Sequence, residues 1–184
     1  YARAAFDVQF DFGGTLGFQE IEGIHNRSDF DLKQHQEASG KPLEYFDEET
    51  REKFIPHVVE PSAGVDRTVL ALICEAYHEE EVADEKGNKE VRVVMRFHPR
   101  IAPIKVAVFP LLKNKPELVA KAREIHQLLK SEFNCFYDES GAIGRRYARQ
   151  DEAGTPFCVT VDFDTLGEKP ELLDTVTLRH RDDS

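Results

Sequence analysis

Residues 60–67 (EPSAGVDR) place polar side chains where an apolar run ends and a helical pattern begins. The small residues of this turn let a ligand approach the backbone, and the first turn of a helix offers unpaired N–H groups to an anion. Asp66 and Arg67 fit such a ligand site, but they could equally be ordinary residues of a first helical turn. The residues alone leave both interpretations open.

Residues 19–24 (QEIEGI) form a second polar cluster, and their alternation predicts a strand. Because side chains alternate across a strand, Glu20 and Glu22 are expected on one face. Periodicity alone favours a pair of exposed carboxylates at a sheet edge. The functional interpretation is a carboxylate that holds Mg²⁺, a hard cation that prefers oxygen ligands.

Residues 138–149 (DESGAIGRRYAR) combine arginines with an aromatic side chain. Arg145 and Arg149 are four residues apart, so they share one helix face, with Tyr147 nearby. Arginine and aromatic side chains suit RNA, through phosphate pairing and base stacking. An equal alternative is a solvated face on which the arginines pair with neighbouring carboxylates: Asp138, Glu139, Asp151 or Glu152.

The composition of the 184 residues bounds the class of protein. With 40% hydrophobic and 32% charged residues, it is typical of a globular protein holding one domain, or one domain and part of another. No apolar run is long enough to cross a bilayer, and the N-terminus lacks a signal-peptide pattern. We therefore expect a soluble, cytoplasmic protein without a membrane partner.

The net charge of −11 argues against general affinity for nucleic acid, although a local basic patch is compatible with RNA binding. The three cysteines include no Cys-x-x-Cys pair, and the seven histidines are scattered singly. A structural zinc site or a disulfide framework is therefore not expected. No Ser-His-Asp or Cys-His pattern predicts a protein nucleophile.

The elements that must position these clusters fall into two groups along the chain. In the first group, alternation predicts strands over 5–12 and 16–24, and an apolar run predicts a buried strand over 54–61. The other elements expected here are weak helical character over 29–40, a charged loop over 41–53, a helix after Gly64 that continues to about Glu81, a turn over 83–89 and a strand over 91–97.

A linker is predicted at 98–103, where two prolines interrupt the periodicity. We therefore divide the chain into a first domain, 1–98, and a second domain, 99–184. In the second domain strands and helices alternate, which indicates an α/β layer structure. The expected strands cover 104–109, 135–137, 157–163 and about 174–178, with helices beginning near Pro116 and Ile143.

The clusters and their order resemble the glycine-specific class II aminoacyl-tRNA synthetases of the homodimeric type. Several long motifs in one order are far more specific than any one of them, and together they cover nearly the whole chain. The segments that carry the resemblance are 20–24 (EIEGI), 27–32 (RSDFDL), 60–67 (EPSAGVDR), 102–106 (APIKV), 144–149 (GRRYAR), 151–157 (DEAGTPF) and 159–165 (VTVDFDT).

The resemblance implies a fold and a set of site residues. The fold is α/β (α+β): the remnant of the class II antiparallel catalytic sheet with its motif 3 at 60–67, followed by an anticodon-binding domain with a mixed five-stranded sheet. The implied residues are Glu60, Pro61, Ser62, Ala63, Gly64 and Arg27 for glycine, Glu20, Ile21, Gly64, Val65, Asp66 and Arg67 for ATP, Glu20 for Mg²⁺, and Arg145, Arg146 and Arg149 for tRNA.

The chemistry of these side chains fits the implied roles. A carboxylate such as Glu60 can hold the glycine ammonium, and strand alternation puts Ser62 on the same side. A crowded polar pocket would exclude alanine by steric clash. Arg67 carries a permanently charged planar group that can stack on adenine or pair with phosphate.

The activity implied is glycine–tRNA ligation with ATP as a substrate, Mg²⁺ as the metal, and glycine and its tRNA as partners, in a homodimer at full length. Class II motifs 1 and 2 are missing from the sequence, so we expect this chain to be a fragment that is inactive alone. Two alternatives are a synthetase-like tRNA-binding module without catalysis and a synthetase for threonine, proline or histidine. Intact motif residues such as Glu60 and Arg67 disfavour the first, and the Glu-Pro-Ser-Ala-Gly string disfavours the second.

Overall fold

The computed structural model describes residues 2–83 and 89–183. The chain divides into two compact units, Tyr1–Ala71 and Leu72–Ser184. Within the described residues, helices and strands are mixed along the chain, which confirms the α/β fold class. No helix in these two stretches is both long and apolar enough to cross a membrane. The domain division at residues 98 and 99 stays a prediction.

An antiparallel sheet dominates the described part of the first unit. Its strands β1 (Ala4–Asp11), β2 (Phe18–Ser28) and β5 (Val58–Ala63) lie in the order β1-β2-β5. Pro61 has no N–H to donate, and β5 tolerates it because the strand lies at an edge of this described sheet. The strand predicted over 54–61 was expected to be buried, but the residues of β5 are exposed or half-exposed.

One helix, a short hairpin and the beginning of a second helix complete the first unit. Helix α1 (Phe30–Ser39) ends at Gly40, whose φ of 66° is the left-handed conformation common after helices. Strands β3 (Tyr45–Phe46) and β4 (Lys53–Phe54) pair where a loop was expected. Helix α2 (Val65–Ala76) begins after the single residue that follows β5, in agreement with the predicted strand-to-helix form of the motif.

A hairpin of β6 (Tyr77–Ala83) and β7 (Lys89–Met95) opens the second unit. The helix predicted to continue to about Glu81 is wrong beyond Ala76, because the chain pairs with β7 instead. The pairing is supported by Glu80, which accepts hydrogen bonds from Arg92 at 2.9 Å and Arg96 at 2.7 Å. Most of the turn predicted over 83–89 lies outside the described residues.

The described part of the second unit contains a mixed sheet. Strand β8 (Val106–Pro110) pairs in parallel with both β9 (Cys135–Tyr137) and β10 (Phe157–Val161). Strand β11 (Thr177–His180) pairs antiparallel with β10. The order is β11-β10-β8-β9, so four described strands are present, and the fifth strand stays a prediction.

Two helices cover the opposite faces of this sheet. Helix α3 (Pro116–Lys130) begins on a proline, as expected for the first turn, and packs on one face. Helix α4 (Ile143–Ala153) packs on the other, where its Tyr147 ring meets Phe109 edge-on at 5.5 Å. Buried residues of the α3 side are Val108, Leu118, Ala122, Val159 and Val161, and those of the α4 side are Ala107, Phe109 and Cys158.

Arg181 binds distant parts of the second unit together. Its side chain is buried and donates to the carbonyl oxygens of Met95 at 2.9 Å, Gly154 at 3.0 Å and Phe97 at 3.0 Å. These carbonyls belong to the end of the hairpin and the end of α4. One guanidinium thus joins the end of the hairpin to the end of α4 through three backbone carbonyl oxygens.

Candidate functional site

A register shift in the first unit determines which residues share a sheet face. Glu22 lies opposite Val8 and Glu20 lies opposite Gln9, so Ile21 is an extra residue in β2. Since Val8 and Gln9 are neighbours on a strand, their partners point to opposite faces. Glu20 and Glu22 therefore do not share a face, contrary to the alternation predicted from the sequence.

The shift turns Glu20 toward the residues of motif 3. Gly23 lies opposite Ser62, and His25 lies opposite Glu60, on the same face as Glu20. Gly23 leaves room between its neighbours: a Cβ there would lie 2.9 Å from the His25 ring and 3.4 Å from a Glu20 oxygen. Glu20, Ser62 and Glu60 thus line one side of the sheet.

Pro61 and Ala63 lie opposite Ile24 and Glu22, so they belong to the other face. They contribute backbone to the turn rather than side chains to the shared face. Gly64 separates the strand from α2, and its carbonyl accepts from the Thr68 N–H at 3.0 Å and hydroxyl at 2.9 Å. Val65 and Asp66 are exposed at the start of the helix.

Arg67 connects the motif to β2. Its Nη1 donates to the backbone carbonyl of Glu20 at 2.6 Å, across a sequence separation of 47 residues. This bond fixes the first turn of α2 beside the register shift at Ile21. The predicted ATP residues Glu20, Ile21 and Arg67 are therefore close together.

Arg27 connects β2 to β5 and α1. Its Nη1 donates to Glu60 Oε2 at 2.5 Å, and its Nε and Nη2 donate to Asp31 at 2.6 and 3.0 Å. The carboxylates hold the guanidinium protonated, so the pKa of Arg27 is raised well above its usual value, chiefly by Asp31 and then by Glu60. Arg27 and Glu60, both predicted for glycine, are in direct contact. Asp31 was not predicted as a site residue, and only its four-residue spacing from Arg27 hinted at the pair.

The residues around Glu20 fit a magnesium ion that is bound partly by the protein and partly by a substrate. Within the described residues, no group of three or more His, Cys, Asp or Glu side chains is arranged to hold a metal. Mg²⁺ typically takes one or two protein carboxylates and completes its shell with phosphates and water. The exposed Glu20 carboxylate can supply such a ligand.

The basic helix α4 of the second unit presents its arginines unequally. Arg145 is exposed, and the described part of the chain provides no ion pair for it. Arg149 is also exposed, but it donates to Asp138 Oδ2 at 2.5 Å and to the Ser140 carbonyl at 2.8 Å. Of the two interpretations of this helix, the one in which its arginines pair with neighbouring carboxylates therefore applies to Arg149.

Arg146 lies inside the second unit with 1% of its surface exposed. It donates to the carbonyl oxygens of Pro110 and, at 2.7 Å, Gly141. Tyr147 is engaged as well: its hydroxyl and that of Thr160 are 2.6 Å apart, and the Arg179 guanidinium lies over its ring. The structure thus gives both side chains packing roles, and sequence periodicity could not separate Arg146 from its exposed neighbour.

Residues 105–184 match the family described as the anticodon binding domain. The mixed sheet with helices on both faces is the part of the molecule that this match covers. Residues 105–184, which lie within the second unit, are thus similar to anticodon-binding domains, as the resemblance of the sequence motifs implied.

The whole chain is similar to glycine–tRNA ligases. It is 53% identical over 183 residues to that of Treponema denticola, covering 99% of this chain and 39% of the relative. It is 52% identical to the glycine–tRNA ligase of Borreliella burgdorferi, over 98% of this chain and 38% of the relative. It is 51% identical to the glycine–tRNA ligase of Thermobifida fusca, over 99% of this chain and 38% of the relative. The chain thus spans somewhat more than a third of these relatives' length, and the resemblance to the glycine-specific synthetases is confirmed.

Proposed function

We propose that this chain is the motif 3 and anticodon-binding part of a glycine–tRNA ligase. The observation that carries the proposal is the similarity to glycine–tRNA ligases over 99% of the chain. The activity would belong to a cytoplasmic, homodimeric protein of the length of those relatives. The clustering of Arg27, Glu60, Glu20 and Arg67 on the first unit supports the assignment.

Glycine would bind on the sheet face that carries Glu60 and Ser62. The carboxylate of Glu60 can accept charge-assisted hydrogen bonds from the glycine ammonium, and the Ser62 side chain lies on the same side of β5. Arg27 holds Glu60 in place through a hydrogen bond of 2.5 Å. A methyl group on the substrate would compete for the space that these polar side chains occupy, which favours glycine over alanine.

ATP would bind where α2 begins, against Arg67 and residues 20 and 21 of β2. At Gly64 and Val65 no large side chain would keep the ligand from the backbone, and Asp66 adds a carboxylate in the first turn of α2. The guanidinium of Arg67 can stack on the base or pair with phosphate. Mg²⁺ at Glu20 would neutralise phosphate charge when bound.

The reaction proceeds in two steps. The glycine carboxylate attacks the α-phosphorus of ATP, which forms glycyl-adenylate and releases pyrophosphate. A ribose hydroxyl at the 3′ end of the tRNA then attacks the glycyl carbonyl, and AMP leaves. Positioning and charge stabilisation by these residues supply the catalysis, so no protein nucleophile is required.

The tRNA anticodon loop would contact the second unit at α4. Arg145 is exposed for a phosphate or base, and Arg149 can reach RNA by exchanging its partner Asp138. Arg146 was also predicted to contact tRNA. Its burial and its hydrogen bonds to two carbonyl oxygens instead favour a structural role, in which it holds the beginning of α4 in place.

Amino-acid-dependent exchange of pyrophosphate into ATP tests the enzymatic part of the proposal. A protein that carries this chain at the full length of its relatives should catalyse exchange with glycine but not with threonine, proline, histidine or alanine. The 184-residue chain alone should not charge tRNA. Absence of exchange with tRNA binding retained would identify a non-catalytic binding module instead.

Binding of tRNA by the chain itself tests the anticodon part. Affinity for the glycine tRNA should exceed that for another tRNA at physiological salt, and Arg145→Ala and Arg149→Ala should each weaken it several-fold. The matched control is Arg123→Ala, since Arg123 is an exposed arginine of α3 that pairs with Glu139 at 3.2 Å. An equal loss in all three variants would overturn the placement of tRNA at α4.

A further inference from the structure

Arg27 and Asp31 form a bidentate ion pair, a geometry that most surface ion pairs lack. Nε and Nη2 of Arg27 approach the two different oxygens of Asp31, at 2.6 and 3.0 Å. Two parallel bonds fix both the position and the plane of a guanidinium. The third nitrogen, Nη1, then points at Glu60 Oε2, 2.5 Å away.

The backbone around Arg27 explains why it needs such support. Asn26 lies opposite Val59 and Ser28 opposite Val58, so Arg27 is an extra residue at a second register shift of β2. At a register shift the regular alternation that fixes the direction of strand side chains is interrupted. Asp31 lies in the first turn of α1, and its backbone is thus anchored independently of the sheet.

Asp31 also borders the space beside Glu60. An open pocket of about 350 Å³ is lined by Arg27, Asp31, Leu32, His35, Val58 and Glu60. The Arg27 hydrogen bonds lower the pKa of Asp31, so its carboxylate is ionised at neutral pH. Its charge is thus available to hold the guanidinium.

We infer that Asp31 is a positioning residue for the glycine site, which sets the affinity for the substrate ammonium by holding Arg27 to a single bond with Glu60. This inference rests on the proposed function. Without the Asp31 carboxylate, Arg27 is released to pair with Glu60 through two nitrogens. That pairing neutralises the carboxylate on which the ammonium depends, and glycine binding weakens.

Asp31→Asn in the full-length protein tests the inference, with exchange of pyrophosphate into ATP as the assay. The expected result is a rise of about tenfold in KM for glycine, with kcat and KM for ATP within about twofold of wild type. Asp29→Asn is the matched control, because Asp29 also lies at the start of α1 and pairs with Lys33 at 2.6 Å but does not contact the glycine site. It should leave KM for glycine unchanged. Asp31→Glu, which restores the charge, should recover part of the loss.

The outcomes separate the two proposals. A wild-type protein without glycine-dependent exchange overturns the proposed function. An active wild type combined with an unchanged KM for glycine in Asp31→Asn, or with an equal change in Asp29→Asn, overturns the role of Asp31 alone. If Asp31→Asn does not fold, Asp31→Ala, which also removes the charge, decides: a raised KM for glycine supports the inference and an unchanged one refutes it.

Discussion

Asp151→Asn in α4 should destabilise the second unit more than the loss of an exposed charge from this helix. The Asp151 side chain is 2% exposed and receives two hydrogen bonds from Arg179, at 2.9 and 3.0 Å. Arg92 lies 3.6 Å from the same carboxylate. Asparagine keeps the shape and one acceptor but removes the charge, and breaking one half of a buried pair costs about 3–5 kcal/mol. Because the Arg179 side chain is 17% exposed and partly screened by water, we expect about 3 kcal/mol.

Urea unfolding followed by circular dichroism measures this loss. With a slope of about 2 kcal/mol per molar urea, the midpoint of the transition that reports the second unit should fall by roughly 1.5 M. Glu152→Gln is the matched control, because Glu152 is the next residue of α4 and is exposed. It should change the stability by less than about 0.5 kcal/mol. Equal midpoints for the two variants would refute the view that Asp151 anchors this unit.

Three further outcomes follow from the second unit. Gly154→Ala should lower the melting temperature by about 6–12 °C, corresponding to about 3 kcal/mol, because Gly154 has φ 81° and a Cβ would overlap the Phe97 ring; a change below about 2 °C would contradict this. Cys158 should resist alkylation at pH 8 until the protein unfolds, since burial raises the pKa of its thiol to about 12, and mass spectrometry of the native, labelled chain would reveal any exception. Burial alone would raise the pKa of Asp138, but hydrogen bonds from Arg149 and the Ser140 N–H outweigh it and lower that pKa. The stability contributed by Asp138 is therefore present above its unfolded value of 3.8 and lost as the pH falls through the folded pKa, so Asp138→Asn should flatten the acid side of the stability curve measured by thermal unfolding.

Where local pattern and tertiary packing agree, the sequence predicts the structure closely. Cys135–Tyr137 was predicted as a strand and α4 as a helix from Ile143, and both begin at those residues. Helix α3 begins on Pro116 as predicted, because proline suits the first turn and an apolar stripe follows it. The strand-to-helix form of residues 60–67 was likewise predicted.

Features that depend on pairing between distant residues could not be read from the sequence. The register shift at Ile21 is visible only in the pairing of β2 with β1, and it turns Glu20 to the face of Glu60. The helical pattern beyond Ala76 gives way to β6 because β7 offers pairing partners. Arg146 looks like any basic helix residue until the carbonyls that it satisfies are known.

The hydrogen bonds of Arg181 can form only late in the synthesis of the second unit. Its Nη1 and Nη2 contact Met95 and Phe97 across sequence separations of 86 and 84 residues. A ribosome adds roughly 5–20 residues per second, so Arg181 is synthesised about 4–17 s after Met95. During that interval the β6–β7 hairpin lacks this anchor, and the nascent chain has a period in which a chaperone could bind the exposed hairpin end.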